Sequence, residues 1–556
     1  MKNKLIDVLK VTKLSDEEIS SLIEVPKNSD LGDYAFPCFS LAKSFKKSPA
    51  EIAQDLIKKI TLPKEFEKVE FKGPYLNFFV NKKILAKNTL DLIKKQKDNY
   101  GSSTLGKNKK IVIEFSSPNI AKPFGIGHLR STIIGNSISN ICKFQGYKII
   151  KINYLGDWGT QFGKLITGYT KFGDKKALKE NPIQHLLELY VLVNQSPDLE
   201  QEARDWFKKL EQGDKTAIAL WKTFKELSLK EFDKIYKLLN VKFDVISGES
   251  NYNSKMNEIL KDLQKNNLLE KSEGAQIVNL EEYGLGVSII QKSDGTTLYA
   301  TRDIATAKDR YEKYKFHKMI YEVGSEQKLH FKQFFKILEL LGNNWAKDCI
   351  HIDHGLYLAE DGKRFSTRQG KTIFMADIFS ETIDLAKNEL QRRGNLENKE
   401  LEKRSKAIAL SAILYGDLKN YRANNSIFDI NKFLSFEGDT GPYLLYTYAR
   451  SKSILTKAKF NLKKIFNIAE VSDKEKNLIT LLVSFPDMVK NSYDSLAPNI
   501  IANYAFSLAQ SFNEFYHEEK VIGSKNEQFK LNIVYSFSQV LKNSLTLLGI
   551  PVLESM

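Results

Sequence analysis

The sequence contains few cysteines and no long apolar run, and each shortage excludes a class of protein. Its three cysteines, Cys38, Cys142 and Cys349, lie far apart and form no CxxC pair. A disulfide framework or a cysteine-based metal site is therefore not expected, and a reducing compartment fits. The apolar runs stay below the roughly 18 residues of a membrane span, and the first residues lack a signal-peptide core. We expect a cytoplasmic protein with no membrane partner.

Positive charge is what the sequence has in excess. Its 84 lysines and arginines outnumber 68 aspartates and glutamates, which gives a formal net charge of +16 over 556 residues. This surplus favours a polyanionic partner such as nucleic acid. A merely lysine-rich composition would give the same balance, so the charge leaves both interpretations open. The length predicts three or four domains, because single cores rarely grow to this size.

The two ends of the chain have different patterns. Residues 1–105 combine helical periodicity with a strand-like stretch, FKGPYLNFFV at 71–80, and predict an α+β N-terminal domain. From 380 onward helical periodicity dominates. Residues 380–556 therefore predict an all-α bundle.

The middle region, residues 106–379, predicts an α/β domain. IVIEFS at 111–116 and YKIIKINYL at 147–155 are strand-like and enclose a loop and a helical pattern. A strand–loop–helix–strand unit is typical of a Rossmann-like parallel sheet. The charged, mostly helical stretch at about 165–285 is interpreted as an insertion. Further strands are expected at 286–300, with an Asp-Gly hairpin turn, and at 317–323 and 349–358.

The stretch PNIAKPFGIGHLRST at 118–132 connects the first of these strands to the helix. A helix N-terminus after a parallel strand presents free N–H groups and a positive dipole, which bind phosphate. Gly125 and Gly127 let the backbone approach an anion closely. His128 can donate a hydrogen bond to phosphate, and Lys122 adds a cation. The alternative is a Gly/Pro-rich turn with a capping histidine.

A second candidate loop is DGKRFSTRQGKTI at 361–373. Its Gly, Lys, Arg, Ser and Thr residues could close over a triphosphate and stabilise the charge that develops on it. Taken by itself, the loop fits a solvated basic segment better than a phosphate-binding loop.

Together the two stretches resemble the HIGH and KMSKS motifs of class I aminoacyl-tRNA synthetases, and their surroundings resemble arginyl-tRNA synthetases. The blocks that carry the resemblance are SSPNIAKP, GHLRSTIIGN, LGDWGTQFG, KSDGTTLYATRDIA, VGSEQKLHF and LSFEGDTGPYLLYTYAR. The resemblance implies activation of L-arginine with ATP to arginyl-adenylate, release of pyrophosphate, and transfer of arginine to the 3′ end of tRNA(Arg). It also implies ATP with Mg²⁺ as cofactors, no protein metal site and a monomer.

The resemblance includes two departures. The HIGH-like element has Gly125 where the family pattern has its first histidine, and the KMSKS-like element lacks the second lysine. In the family a lysine near HIGH is thought to replace that lysine, and Lys122 occupies this position. The implied catalytic residues are His128, Lys122, Gly127, Arg364, Ser366 and Arg368. The implied ATP-binding residues are Pro118, Asn119, Lys122, Gly125, Gly127, His128, Lys363 and Phe365.

The resemblance also implies an arginine pocket. Asp303 would pair with the substrate guanidinium, with Tyr299 beside it and Glu249 as a second carboxylate. The α-amino and carboxylate groups would be held by Glu114, Ser117, Asn119 and Gln327. Asp303 could otherwise be a helix-dipole partner, and Tyr299 a half-buried strand residue. Glu114 is expected at the carboxyl end of a central parallel strand, where such sheets bind ligands.

The terminal domains are similar to tRNA-binding modules of the same family. The N-terminal domain resembles the module that contacts the tRNA elbow, and the C-terminal bundle resembles an anticodon-binding domain. Its candidate tRNA-binding residues are Tyr446, Tyr448, Arg450, Tyr504 and Tyr516, because aromatic rings stack on unpaired bases. Core packing is the alternative for each tyrosine.

Three other functions remain open from the residues alone. They are another class I synthetase such as the cysteinyl enzyme, a nucleotidyltransferase without tRNA, and a nonenzymatic RNA-binding protein. The absence of a zinc-binding cysteine set argues against the cysteinyl enzyme. The basic helical C-terminus argues against a nucleotidyltransferase, and the acidic pocket argues against a nonenzymatic protein.

Overall fold

A computed structural model describes residues 1–26, 28–293, 299–359, 362–363, 374–394 and 396–556. The chain divides into two compact units. The first consists of Met1–Tyr100, Ile454–Ser484 and Gln510–Val540, and the second of Gly101–Ser453, Phe485–Ala509 and Leu541–Met556.

The first unit contains an antiparallel sheet of Tyr34–Pro37 (β1), Phe66–Lys72 (β2) and Tyr75–Val80 (β3), in the order β1-β3-β2. Gly73 turns the chain between β2 and β3 with a φ of 59°, a conformation that glycine adopts at little steric cost. The N-terminal helices are Lys2–Leu9 (α1), Asp16–Leu22 (α2), Ala42–Phe45 (α3), Pro49–Ile57 (α4) and Lys82–Gln96 (α5). The predicted α+β character of this region is confirmed.

The second unit is built on a five-stranded parallel sheet. Its strands are Lys110–Glu114 (β4), Lys148–Leu155 (β5), Val245–Gly248 (β6), Lys318–Gly324 (β10) and Cys349–His354 (β11), in the order β11-β10-β4-β5-β6. The chain proceeds from β4 toward one edge and later toward the other, so the strand order reverses beside β4. Ligands bind at the carboxyl ends of strands at such a switch point. The predicted Rossmann-like parallel sheet is confirmed.

The region predicted as a helical insertion also contains strands. β6 joins the main sheet, and a second, antiparallel sheet forms from Glu270–Ser272 (β7), Ala275–Asn279 (β8) and Val287–Gln291 (β9). β9 falls within the strand expected at 286–300. β6, β7 and β8 are short and mostly half-buried or exposed, so they lack the apolar runs that identified β4 and β5. The predicted Asp-Gly turn lies outside the described residues, and the described chain resumes as a helix at Tyr299.

Helices make up most of the remainder. Those between Ile126 and Leu340 are Ile126–Phe144 (α6), Gln161–Phe172 (α7), Lys175–Glu180 (α8), Pro182–Asn194 (α9), Glu200–Glu211 (α10), Lys215–Leu238 (α11), Met256–Lys265 (α12), Tyr299–Tyr314 (α13) and Lys328–Leu340 (α14). A two-stranded sheet of Tyr357–Leu358 (β12) and Ser426–Ile427 (β13) follows.

The last part of the chain is helical, as predicted. Its helices are Met375–Arg393 (α15), Asn398–Leu418 (α16), Ile430–Phe433 (α17), Gly441–Lys457 (α18), Asp473–Ser495 (α19), Asn499–Glu518 (α20) and Glu527–Leu547 (α21). The division between the two units passes through α18, α19, α20 and α21. In the described ranges, no helix has both the length and the apolar character that crossing a membrane requires.

Candidate active site

The loop after β4 has an unusual backbone. Ser116, Ser117 and Ala121 have φ values of 75°, 45° and 59°, in the left-handed region that residues with a Cβ rarely adopt. Side-chain hydroxyls hold this loop, because the Ser116 N–H donates to Ser131 Oγ at 2.9 Å and the Ala121 N–H to Ser228 Oγ at 3.0 Å. Strained backbone that neighbours hold in place is frequent at ligand sites.

The same loop crosses the end of β5. Asn119 forms a parallel bridge with Gly156, and the Gly156 N–H donates to the Pro118 carbonyl at 3.2 Å. A Cβ on Gly156 would lie 2.1 Å from Asn119 Oδ1, so a larger residue there would displace the Asn119 side chain. Pro118 is buried, and Ser117 and Asn119 are half-buried. Three of the predicted binding residues therefore lie along the carboxyl edge of the sheet.

His128 lies in the first turn of α6. The Gly125 N–H donates to His128 Nδ1 at 3.2 Å. Burial, and then the positive charge of Lys122 and of His354, lowers the His128 pKa to about 4. The ring is therefore neutral near pH 7, and because Nδ1 accepts a hydrogen bond, its proton is on Nε2. The Nε2–H group is available as a donor.

The rest of the predicted phosphate site is only partly described. Gly127 is exposed and Lys122 is half-buried, with Nζ 5.6 Å from the ring centre of Tyr190. A Cβ built on Gly125 or Gly127 meets no atom within 4 Å, so the missing first histidine leaves room for a side chain. Lys363 is exposed. The other predicted members of the KMSKS-like element, which lie outside the described residues, are Arg364, Phe365, Ser366 and Arg368.

Glu114, the last residue of β4, is buried against an arginine. Its carboxylate lies 2.5 Å from Arg310 Nη1, and the two side chains are 8% and 2% exposed. Burial raises the Glu114 pKa, Arg310 opposes this shift, and the charge of Asp303 adds to it. Burial acts to lower the Arg310 pKa, but Glu114 and three nearby tyrosines, Tyr321, Tyr252 and Tyr154, together raise it above its usual value. By distance the two groups form a buried ion pair.

Asp303 and Glu249 also have basic partners. Asp303 Oδ2 lies 2.7 Å from His330 Nε2, and Glu249 Oε2 lies 3.6 Å from Arg302 Nη1. Burial raises the Glu249 pKa to about 7, with Arg302 opposing and Asp303 contributing. Because Asp303 influences both glutamates, the three predicted acids share one electrostatic neighbourhood.

Asp157 determines where Glu249 lies. Its side chain is fully buried and accepts hydrogen bonds from the Ser250 N–H at 2.9 Å, from Ser250 Oγ at 2.7 Å and from Lys225 Nζ at 2.6 Å. A Cβ on Gly248 would lie 2.5 Å from this carboxylate. The residues on both sides of Glu249 are thus held by Asp157.

The other predicted arginine-site residues are less defined. Tyr299 begins α13, one turn before Asp303, and nothing is described of its side chain. Gln327 is exposed at the end of a 3-10 turn directly after β10, on the same edge of the sheet as Glu114. Among the described residues, no group of three or more His, Cys, Asp or Glu side chains could hold a metal ion.

The predicted tRNA-binding residues divide by exposure. Tyr446 and Tyr516 are 37% and 38% exposed, and the Arg450 guanidinium lies 4.8 Å from the centre of the Tyr446 ring. Tyr448 and Tyr504 are buried at 3% and 6%. Tyr448 and Tyr504 therefore pack in the core, which was the alternative interpretation for each tyrosine.

The sequence reasoning missed the basic partners of the acids. Arg310 is seven residues after Asp303, two helical turns away and therefore on the same face of α13. That spacing is the signal that could have identified it. Arg302 and His330 carry no comparable signal, because neither stands a whole number of helical turns from a predicted acid on its own helix.

Comparison with known proteins identifies the family. The description "tRNA synthetases class I (R), catalytic domain" matches residues 89–430, "Arginyl tRNA synthetase N terminal domain" matches 1–80 and "DALR anticodon binding domain" matches 444–556. An arginine–tRNA ligase of Halothermothrix orenii is 44% identical over 100% of this chain and 99% of its own length. The chain belongs to the arginyl-tRNA synthetase family. The predicted family is thereby confirmed.

Other arginyl-tRNA synthetases extend the likeness. An arginine–tRNA ligase of Clostridium perfringens is 46% identical over 97% of both chains. The arginyl-tRNA synthetase structure from Plasmodium falciparum has a TM-score of 0.82 at 26% identity, covering 100% of this chain and 98% of its own. The Thermus thermophilus arginyl-tRNA synthetase, with a TM-score of 0.83 at 22% identity over 100% and 99%, shows the shared fold.

Proposed function

We propose that the chain is an arginine–tRNA ligase, which activates L-arginine with ATP and esterifies the 3′ end of tRNA(Arg). The observation that carries this proposal is the grouping of Glu114, Asp303 and Glu249 at the edge of the parallel sheet where α6 begins. One crevice thus offers carboxylates for a dication and a helix N-terminus for phosphate. Family membership over the whole chain supports the same function.

The substrate arginine carries two cationic groups and one carboxylate. Its guanidinium would donate to Asp303, with Glu249 as the second acid, because planar carboxylates match the fork of N–H donors. Its α-ammonium would pair with Glu114. Ser117, Asn119 and Gln327 would orient the carboxylate, and Tyr299 would lie beside the guanidinium.

ATP would lie across the start of α6. The Nε2–H of neutral His128 and the first-turn amides would donate to the phosphates, with Gly125, Gly127 and Pro118 allowing close approach. Lys122 supplies positive charge, and within the described ranges no carboxylate lies within 4.0 Å of its Nζ to neutralise it. From the KMSKS-like loop, the residues proposed to cover the phosphates are Lys363, Arg364, Phe365, Ser366 and Arg368. Mg²⁺ would accompany ATP on its phosphates.

Neither chemical step needs a side-chain nucleophile. In the first, an arginine carboxylate oxygen attacks the α-phosphorus and pyrophosphate leaves. In the second, a terminal ribose hydroxyl of tRNA attacks the adenylate carbonyl and AMP leaves. Catalysis is therefore alignment of reactants together with stabilisation of charge on phosphate.

The tRNA would be bound by both terminal regions. Tyr446 and Tyr516 expose ring area on which anticodon bases can stack, and Arg450 can contact phosphate. The buried tyrosines Tyr448 and Tyr504 would support the helices that present them. We further propose that the enzyme acts as a monomer in the cytoplasm.

ATP–pyrophosphate exchange, measured with arginine and with lysine, with and without tRNA(Arg), tests the function. We expect exchange with arginine alone among the two amino acids, together with arginylation of tRNA. Dependence of the exchange on tRNA is a family property that we extend to this chain. Exchange without any amino acid would point to a nucleotidyltransferase, and RNA binding without exchange to a nonenzymatic protein.

A further inference from the structure

Arg310 is a fully buried cation with no role in the mechanism above. It lies two turns after Asp303 on α13, and its guanidinium contacts the Glu114 carboxylate at 2.5 Å. Within the described part of the chain, Glu114 is the one carboxylate within 4.0 Å of it. The rings of Tyr154 and Tyr321 flank its Cζ, with their centres 5.1 and 5.9 Å away.

A contribution to folding stability does not explain why this ion pair is buried. Burying two charges costs desolvation that their attraction often fails to repay, and apolar replacements of buried pairs are frequently as stable. The pair has a consequence for the site, however. An isolated carboxyl at a position as buried as Glu114 would take up a proton, and a neutral acid cannot pair with an ammonium group.

Arg310 also connects two site residues. The ion pair joins α13 to the carboxyl end of β4, and Asp303 is on the same face of that helix. The distance between the acid for the α-ammonium and the acid for the guanidinium therefore depends on this contact.

We propose that Arg310 is a positioning residue for substrate arginine, which keeps Glu114 ionised and oriented toward the α-ammonium and sets its distance from Asp303. This inference rests on the proposed function, because it assumes that Glu114 receives the substrate. The charged and titratable groups that face Glu114 are Arg310, Asp303, Tyr154, Tyr252 and Tyr321. The pKa values of all three tyrosines are raised, mainly by burial, so they stay neutral near pH 7.

The test compares Arg310→Gln and Arg310→Lys with a control, Lys308→Met, on the same helix. Lys308 pairs with Asp262 away from the acids. The measurements are the KM for arginine and for ATP, and the inhibition constant of the arginine analogue that lacks the α-amino group. Each of these constants is measured between about pH 6.5 and pH 8.5, where the α-amino group of substrate arginine stays largely protonated. For a titrating carboxyl group, one pH unit changes the ratio of ionised to protonated form about tenfold.

We expect Arg310→Gln to raise the arginine KM about tenfold near neutral pH, because Glu114 becomes protonated. This KM should fall as the pH rises and Glu114 ionises. The ATP KM and the inhibition constant of the analogue, which has no group for Glu114, should stay within about twofold. Arg310→Lys should keep a flat pH profile, and Lys308→Met should match the unmodified enzyme.

Equal changes for arginine, ATP and the analogue would mean a general structural role and would overturn the inference. So would an unchanged arginine KM in folded Arg310→Gln. If that variant does not fold, Arg310→Lys decides. We expect its ratio of arginine KM to analogue inhibition constant to rise about threefold, since lysine lacks the guanidinium fork, and an unchanged ratio contradicts the inference. Glu114→Gln distinguishes failure of this inference from failure of the proposed function. If Glu114→Gln raises the arginine KM while the Arg310 variants behave normally, only the role of Arg310 is refuted. If Glu114→Gln leaves the arginine KM unchanged, the assignment of Glu114 to the substrate is itself refuted.

Discussion

The three acids of the site differ in how easily their basic partners can yield to a substrate. Glu114 and Glu249 face arginines, which keep their charge at every physiological pH. Asp303 faces a histidine, His330, and its side chain is the most accessible of the three at 28%. An entering guanidinium would therefore reach Asp303 most easily. This explains physically why one acid would dominate recognition of the side chain.

Asp303→Asn should raise the KM for arginine about 100-fold, since loss of a charge-assisted pair to a guanidinium costs about 3 kcal/mol. The ATP KM should change little. The matched control is Asp309→Asn on the same helix, where the carboxylate pairs with Lys255. Steady-state aminoacylation kinetics give both constants. An arginine KM that stays near the unmodified value, in a folded variant, contradicts the assignment of the guanidinium partner.

His128→Ala should slow adenylate formation about 100-fold, because one preorganised donor to phosphate is lost. His185→Ala is the control, since His185 only accepts a hydrogen bond from the Asp174 N–H in the insertion. Single-turnover adenylate formation measures the step directly.

With its pKa lowered to about 4, His128 is neutral above that pH. The rate of adenylate formation should therefore show no inflection from this histidine between about pH 5.5 and pH 8. An inflection in that range that disappears in His128→Ala would contradict the claim that His128 acts as a neutral donor.

At the scale of elements, short connections position the site more than the long helices do. The loop after β4 is held through hydroxyls of α6 and α11, and the turn after β6 is held through Asp157. Trp221 of α11 also donates from its ring N–H to the Asp157 carbonyl at 2.8 Å. The insertion is thus structurally part of the site, because α11 supports both connections.

Asp157→Ala should destabilise the enzyme by about 3 kcal/mol, because it leaves Lys225 and the Ser250 N–H without their buried acceptor. Asp233→Ala is the control: its pair with Lys237 is exposed at 76% and 57%, so we expect about 0.5 kcal/mol or less. The midpoint of denaturant unfolding, followed by tryptophan fluorescence, measures this loss of stability, and Trp221 beside the site is one of the four tryptophans that contribute to the signal. Arginine KM should rise as Glu249 loses its support. Equal midpoints for the two variants would show that Asp157 is not a structural centre.

At the scale of the whole molecule, the charge of +16 matters mainly for the encounter with tRNA. Neutralised phosphates release counterions, so the tRNA KM should rise steeply with salt while the arginine KM stays nearly constant. Basic residues distributed over both units would supply this sequence-independent attraction. The exposed rings proposed above would supply contacts to unpaired bases.

Tyr446→Ala and Tyr516→Ala should each raise the tRNA KM about tenfold, since stacking on a base contributes about 1–3 kcal/mol. The arginine KM should not change. Tyr283→Ala is the matched control, because that ring is 40% exposed but belongs to the insertion. Aminoacylation at varied tRNA concentration provides the values. A tRNA KM equal to that of the control for both variants removes these rings from the interface.

Much of the fold and the phosphate side of the site followed from local sequence. β4 and β5 are apolar runs, and the Gly-rich start of α6 follows β4 directly, so a parallel sheet with an anion-binding helix end was predictable. β9 lies within the strand expected at 286–300, whereas β6, β7 and β8 were not predicted, because short segments with exposed faces carry almost no periodic signal. Asp303 was identified through family blocks, whereas Glu114 was indicated both by those blocks and by its place at the carboxyl end of a central parallel strand.

The sequence by itself determined which residue types are available for the proposed ligands, because phosphate and cation sites need particular groups at particular ends of elements. Only the tertiary structure decided how the acids are neutralised: Arg310 returns to Glu114 and Arg302 to Glu249 from another part of the chain. Such pairings depend on sheet order and helix packing, and each is a contact between residues far apart in sequence. For that reason, the pairing of these acids with basic residues is a property of the fold.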